Sequence, residues 1–229
     1  AWLTGHVLRR DCVLAPIPAA DYAKHSEDLV LLPEIGIGSQ GEVGSVLLFG
    51  PVSIDSMKTI ALPSDSATSV ALLKYLLSTS GREMTYITTG PDYDSMMAQA
   101  DGCLLIGDRA LEAAKEFPEM VQLDLGQAWL ERFGLPMVFG VFVARKDTPV
   151  EEIKTAHAAL LSGLNEFERS NEKREAVIQW AMGRSDLSHR RLDQYFGEVF
   201  NRLDKHHMEG LHRFLSEACD LPLPLEFAW

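Results

Sequence analysis

Between residues 59 and 77 a short apolar run, Ile60-Ala61-Leu62, meets a hydroxyl-rich turn and then a stretch with leucines at helical spacing. The turn reads Ser64-Asp65-Ser66-Ala67-Thr68-Ser69, and Ser66, Thr68 and Ser69 fall where the helix must begin. The first N–H groups of a helix have no partner inside it, and the dipole places partial positive charge at the same end. Hydroxyls there either cap the helix or bond a ligand. Such a junction suits an anion, a carboxylate as readily as a phosphate. No Gly-rich phosphate fingerprint and no trailing Lys accompany it, which favours the carboxylate. A second chemically able residue, Asp108, follows Gly107 after the run Cys103-Leu-Leu-Ile106. Its carboxylate serves either as a base at the end of a strand or as the N-cap of a helix over 109–116.

The elements that position these residues follow from apolar spacing. Runs at 12–15, 29–32 and 45–49 are separated by Pro16, Pro18, Pro33 and a Gly-rich segment at 36–41. Near-continuous apolar runs of this kind suit a sheet covered on both faces. From 60 to 144, strands (60–62, 84–88, 102–106, 120–125, 136–144) alternate with helices (68–77, 93–99, 109–116, 127–133), which implies an α/β architecture with mostly parallel sheets. After Thr148-Pro149 the spacing is helical to about 218, broken at 170–171 and 183–188. The pattern describes a two-lobe clamp: residues 1–52 begin lobe one, 53–142 form lobe two, and 143–229 return to lobe one as a helical region. Segments 45–49 and 136–144 are the expected crossings, with a ligand cleft between the lobes. The turn at 64–69 and Gly107-Asp108 both lie beyond the carboxyl ends of strands, where ligands of open α/β sheets bind.

Composition narrows the function classes. With 229 residues the chain can bury a sizeable core, and 46% hydrophobic with 24% charged residues is the balance of a soluble globular protein. A net charge of −12 argues against nucleic acid or an anionic membrane as partner. No apolar run is long enough to span a bilayer, and the first residues lack the features of a signal peptide. The three cysteines, Cys12, Cys103 and Cys219, are far apart and form no CxxC pair, which suits reduced thiols in a cytoplasm and no zinc site. His206, His207 and His212 are spaced so that no two separated imidazoles share a helix face, so no metal centre is expected. The charged run 166–175 reads as a solvated helix face, and the glycines at 36–41 precede a strand, which rejects a nucleotide loop.

Five segments occur in an order that resembles one family. They are Asp11-Cys-Val-Leu-Ala-Pro-Ile-Pro18, Gly41-Glu-Val-Gly-Ser-Val-Leu-Leu-Phe49, Ser66-Ala-Thr-Ser-Val-Ala-Leu-Leu73, Leu104-Leu-Ile-Gly-Asp-Arg-Ala-Leu111, and Asp124-Leu-Gly-Gln-Ala-Trp129 followed by Gly134-Leu-Pro-Met-Val-Phe139. Together they resemble the chorismate dehydratases of menaquinone biosynthesis by the futalosine route, whose two-lobe fold is similar to type II periplasmic solute-binding proteins. The family usually opens with a strand and a Tyr/Asn-containing loop that nothing here matches, so the first strand of lobe one is expected to be missing. The family's turn is commonly Ser-Arg-Thr-Ser, against Ser66-Ala67-Thr68-Ser69 here.

The resemblance implies loss of water from chorismate to give 3-[(1-carboxyvinyl)oxy]benzoate, with no metal or organic cofactor. The ring carboxylate acidifies C3–H through the adjacent double bond, and the C4 hydroxyl leaves as the ring becomes aromatic. In this reading Ser66, Ala67, Thr68 and Ser69 hold a carboxylate, Ser45 hydrogen-bonds the ligand, and Gly41, Val43 and Gly107 bring backbone close. Phe139 or Met137 supplies an apolar wall. Asp108 is the expected catalytic residue, as base or as a contact to the leaving hydroxyl; the other candidate base is a carboxylate of the substrate itself. The alternative is a solute-binding protein for a small carboxylate anion that does no chemistry. A third possibility is a sibling enzyme acting on a naphthoate precursor.

Overall fold

A computed structural model describes residues 2–229. Helix α1 (Trp2–Leu8), strand β1 (Leu14–Pro18), α2 (Ala19–Lys24) and β2 (Leu29–Ser39) come first. The middle runs β3 (Val46–Phe49), β4 (Thr59–Pro63), α3 (Ala67–Ser78), β5 (Thr85–Thr89), α4 (Tyr93–Met97), β6 (Gly102–Ile106), α5 (Asp108–Glu116), β7 (Val121–Asp124) and α6 (Leu125–Phe133). Strand β8 (Met137–Arg145) then leads to α7 (Val150–Arg169), α8 (Asn171–Met182), α9 (His189–Glu198), β9 (Val199–Arg202) and α10 (Lys205–Ala218).

The strands form two sheets, ordered β1-β8-β2-β9 and β5-β4-β6-β3-β7. Strand membership changes between Ser39 and Val46 and again between Asp124 and Met137, so the chain passes between sheets at 40–45 and 125–136. Segments 45–49 and 136–144, expected to cross, contribute strands wholly within one sheet each. The expectation of mostly parallel sheets is corrected: β4 pairs in parallel with β5 and β6, whereas all other strand pairings are antiparallel. The βα units joined through α3 and α4 obey the parallel rule. Strands β3 and β8, each entered directly after a passage from the other sheet, run against their neighbours.

Strand β2 runs straight through Pro33 and the glycines that the sequence marks as breakers. Its pairing with β8 slips between Leu31 and Gly36, and Glu34 takes φ 65°. Pro33 has no N–H to give the ladder, so the chain bulges there and resumes. The buried His157 of α7 donates from Nε2 to the Pro33 carbonyl at 2.9 Å and fastens the bulge. Gly38 is a packing glycine: a Cβ there would overlap the Met137 carbonyl and the Phe200 ring.

Helix α3 packs by its leucines. Leu72 and Leu73 are fully buried, with Leu76 and Leu77 nearly so; burying each contributes about 1.5–3 kcal/mol. An aromatic cluster sets its angle to α6 and α10, with Tyr75 stacked on Phe133 at 5.7 Å, Phe133 4.5 Å from Trp129, and Trp129 edge-on to Phe214 at 6.1 Å.

Helix α6 (Leu125–Phe133) makes up most of the second passage and is fastened to the first. Asp124 caps it by accepting from the Gly126 and Gln127 amides at 2.9 and 3.1 Å. The same carboxylate accepts from Val43 N–H at 3.1 Å and Gly44 N–H at 2.8 Å, fixing the first passage. Toward the other end, the buried Trp129 donates its indole N–H to the Pro136 carbonyl at 3.2 Å. Gly134 closes the helix in the left-handed region (φ 67°). Gly210 of α10 sits against the same Pro136 carbonyl, with no room for a Cβ.

Candidate functional site

Between the two sheets lies a cavity of about 350 Å³, within the range of small-molecule sites. One wall is apolar and comes mainly from the four-stranded sheet: Ile17, Ile37, Phe139 and Val199. The facing wall is formed at one edge of the five-stranded sheet, by the Asp65–Ser69 turn, Ile106-Gly107, and Val43 with Ser45. Tyr195 of α9 closes one side. A larger hollow of about 1030 Å³ lies over α2, α3 and α10. Its walls are mostly the sides of helices, with residues 82–84 and 86 at one side, whereas the cavity between the sheets collects the carboxyl ends of β4 and β6, where α/β ligands bind.

The start of α3 is chemically the richest part of the wall. Ser66 occupies the N-cap position, yet its side chain makes no capping bond. Ser66 and Ser69 are 6% and 4% exposed, and neither hydroxyl has a hydrogen-bond partner among the described residues. Thr68 differs: its Oγ1 accepts from Ala20 N–H at 3.1 Å and ties α3 to α2. The first amides of α3 therefore open toward two uncommitted hydroxyls, an arrangement that receives a carboxylate without a cation. Among the described residues no Lys, Arg or His lines the cavity. Arg109, just outside, is engaged by Asp65 at 2.7 Å.

Ser45 and Gly107 hold each other. The Gly107 amide donates to the Ser45 carbonyl at 2.7 Å, and Gly107 takes φ 61°, ψ −143°, a region open essentially to glycine. The Ser45 hydroxyl donates to Tyr195 Oη at 3.3 Å. Cys103, on β6 behind this wall, is no nucleophile, since burial pushes its thiol up to about 12.

Of the residues singled out from the sequence, the structure brings Val43, Ser45, Ser66, Thr68, Ser69, Gly107 and Phe139 to this cavity. It does not bring Gly41, Ala67 or Asp108. Gly41 is buried against α6, with φ 119° and its carbonyl accepting from Ser39 Oγ at 2.9 Å. Ala67 faces the outer hollow, so a longer side chain at that position would point away from the cavity. Asp108 is exposed and is the first residue of α5, with Gly107 rather than Asp108 as N-cap, and it lies off the cavity wall. Sequence reasoning missed Tyr195, Ile37 and Val199, and placed Asp65 in the ligand turn without giving it a role. The run Pro16-Ile17-Pro18 carried a signal, as part of a family segment, without a role. His207 proves to be a helix cap, its Nδ1 accepting from the Asp204 amide at 3.2 Å.

Comparison with known proteins agrees with this architecture. A crystal structure of an Archaeoglobus fulgidus protein superposes with TM-score 0.71 at 19% identity, covering 96% of this chain and 84% of that one. The periplasmic aliphatic sulphonate-binding protein SsuA of Escherichia coli gives 0.67 at 13%, over 98% and 81%. These likenesses place the fold among the periplasmic-binding-protein-like structures. A Thermus thermophilus protein named chorismate dehydratase is 33% identical, covering 88% of this chain and 77% of that protein. A family model described as menaquinone biosynthesis matches residues 2–220. With both matches spanning most of the chain, this protein belongs to the menaquinone-biosynthesis family.

Proposed function

We propose that the chain is a chorismate dehydratase, a carbon–oxygen lyase that converts chorismate to 3-[(1-carboxyvinyl)oxy]benzoate and water in menaquinone biosynthesis. The observation that carries this reading is the uncapped start of α3, with Ser66 and Ser69 unpartnered, facing an apolar wall across a cavity of about 350 Å³. A dianionic cyclohexadiene needs this pairing of an anion cradle and a greasy face. The likeness to a chorismate dehydratase supports the same substrate.

The chemistry follows from what lines the cavity. The α3 amides with Ser66 and Ser69 hold the ring carboxylate and stabilise the charge that builds on it as the C3 proton leaves. Among the described residues lining the cavity the single carboxylate is Asp65, already paired with Arg109, and there is no imidazole. The enolpyruvyl carboxylate of the substrate, tethered through oxygen to C3, is then the base, and the protein's part is to fix the conformer in which it reaches that proton. The half-buried and buried reduced thiols fit a cytoplasmic location.

The test is to mix the full-length protein with chorismate and follow loss of the diene absorbance, with mass spectrometry of the product. A product lighter by one water, identified as the enolpyruvyl benzoate, is the expected result. Tight binding without turnover would reassign the chain as a carboxylate-binding protein.

A further inference from the structure

We propose that Tyr195, oriented by Ser45, is the acid that protonates the departing C4 hydroxyl; this rests on the dehydratase reading above. Three observations converge on it. Tyr195 lines the cavity, and among the described lining residues, with the Asp65 carboxylate paired to Arg109, it is the one side chain acidic enough to pass a proton to a leaving group. Its Oη accepts the Ser45 hydroxyl at 3.3 Å, which fixes the phenol oxygen on the wall and leaves its own proton uncommitted to that contact. Ser45 in turn is held by the Gly107 amide on its own carbonyl, which makes the pair a fixed feature of the wall.

The placement matches the substrate. In the five-stranded sheet β6 separates β4 from β3. Val46 pairs with Ile106, so the start of β3 lies at the same sheet edge as the end of β6, and the parallel β4 ends at that edge too. At about 4.8 Å per strand, the Ser66–Ser69 turn after β4 and Ser45 before β3 stand ~10 Å apart along the cavity. The ring carboxylate of chorismate and its C4 hydroxyl are para to each other. With their oxygens about 6–7 Å apart across the ring and a hydrogen bond of roughly 2.8 Å at each end, the two groups reach partners up to ~12 Å apart, which takes in that separation. A carboxylate seated on α3 therefore directs the leaving oxygen to the Ser45–Tyr195 pair.

The step balances. The C3–H proton passes to the enolpyruvyl carboxylate, and its electron pair enters the ring and the ring carboxylate. The C4–O bond breaks with its pair on oxygen, which takes the Tyr195 proton and leaves as water. The resulting tyrosinate recovers a proton from the carboxylic acid formed in the first step. Oxidant and reductant are not needed.

The test compares two leaving groups in the full-length protein. Wild type and Tyr195→Phe are assayed with chorismate and with its 4-deoxy-4-fluoro analogue, whose fluoride departs without needing an acid, and product affinity is titrated for both proteins. The expected result is a fall in kcat on chorismate of about 100-fold or more, a change of only a few-fold on the fluoro analogue, and unchanged product affinity. Equal loss on both substrates, or no loss on chorismate, overturns the assignment while leaving the dehydratase reading intact. A wild-type protein that binds chorismate without turnover overturns both.

Discussion

Replacing Gly210 by alanine measures how firmly α10 is seated on the second passage between the sheets. A Cβ built on Gly210 overlaps the Pro136 carbonyl oxygen and comes within 3.1 Å of its carbonyl carbon. The obstacle is backbone, which cannot swing aside as a side-chain tip can, so α10 must lift by roughly 1 Å to restore van der Waals contact. Overpacking of this kind costs about 1–3 kcal/mol. The same carbonyl accepts the buried Trp129 indole N–H, and stranding that donor adds about 1–3 kcal/mol. Alanine returns about 1 kcal/mol of helix propensity. The balance is a loss of about 3 kcal/mol, large against a typical total of about 5–15 kcal/mol. Gly163 on α7 is the control: a Cβ there meets nothing within 4 Å, so Gly163→Ala should stabilise by up to about 1 kcal/mol. Urea unfolding followed by circular dichroism reads both. If Gly210→Ala is as stable as wild type while Gly163→Ala shows its gain, α10 does not rest on the Pro136 backbone and the packing argument is wrong.

Four further outcomes are expected. Ser66→Ala with Ser69→Ala weakens chorismate binding by about 1.5–3 kcal/mol in all, roughly 10- to 100-fold, at unchanged melting temperature; a calorimetric titration with unaltered affinity would sink the carboxylate assignment. Asp124→Ala strips four backbone N–H groups of their acceptor and should cost about 2–4 kcal/mol in denaturant unfolding, against ~1 for an ordinary cap. The Asp101 carboxyl is held below its usual range by the Lys58 and Thr59 amides and the Thr59 hydroxyl. Its folded value is depressed, so its contribution is complete above about pH 4 and is lost as pH falls through the folded value; the stability gap between wild type and Asp101→Asn should narrow on acidification, and a gap that widens contradicts the sign. Cys103, buried with its thiol pushed up to about 12, should resist a thiol-disulfide reagent at neutral pH until the protein unfolds, and rapid labelling in the native state would refute its burial.

How much of this was legible beforehand varies from element to element, for physical reasons. The β4–α3 junction was plain, because a buried apolar run, hydroxyls at a helix start and leucines at helical spacing are all local signals. The family segments that flank it have structural causes that only packing reveals. Asp124 must accept amides from a loop some eighty residues earlier, and Gly126 must leave room for Ser39 and the Gly41 carbonyl, which approaches within 2.5 Å of where a Cβ would sit. Asp108 drew attention by following a strand and a glycine, but the turn geometry of Gly107 carries it outward, which no spacing rule foresees. Strand β9, hidden in a helical tail, forms by pairing with β2 at Gly38 and Ser39. Tyr195 lies immediately upstream of that strand on α9, and a lone tyrosine in a charged helix carries no local sign that the fold will turn it into a cleft.

The seating of α6 has a mechanical consequence. One end of this helix is tied to the first passage through Asp124, and Trp129 ties it to the second through the Pro136 carbonyl. The passages at 40–45 and 125–136 are the joints about which one sheet can turn against the other, and in an untied pair each joint would turn by itself. Here the joints share an axle. Any turn of one sheet against the other at 40–45 must carry α6 with it through Asp124, and with α6 the Trp129 tie to Pro136, so the two joints are coupled rather than independent.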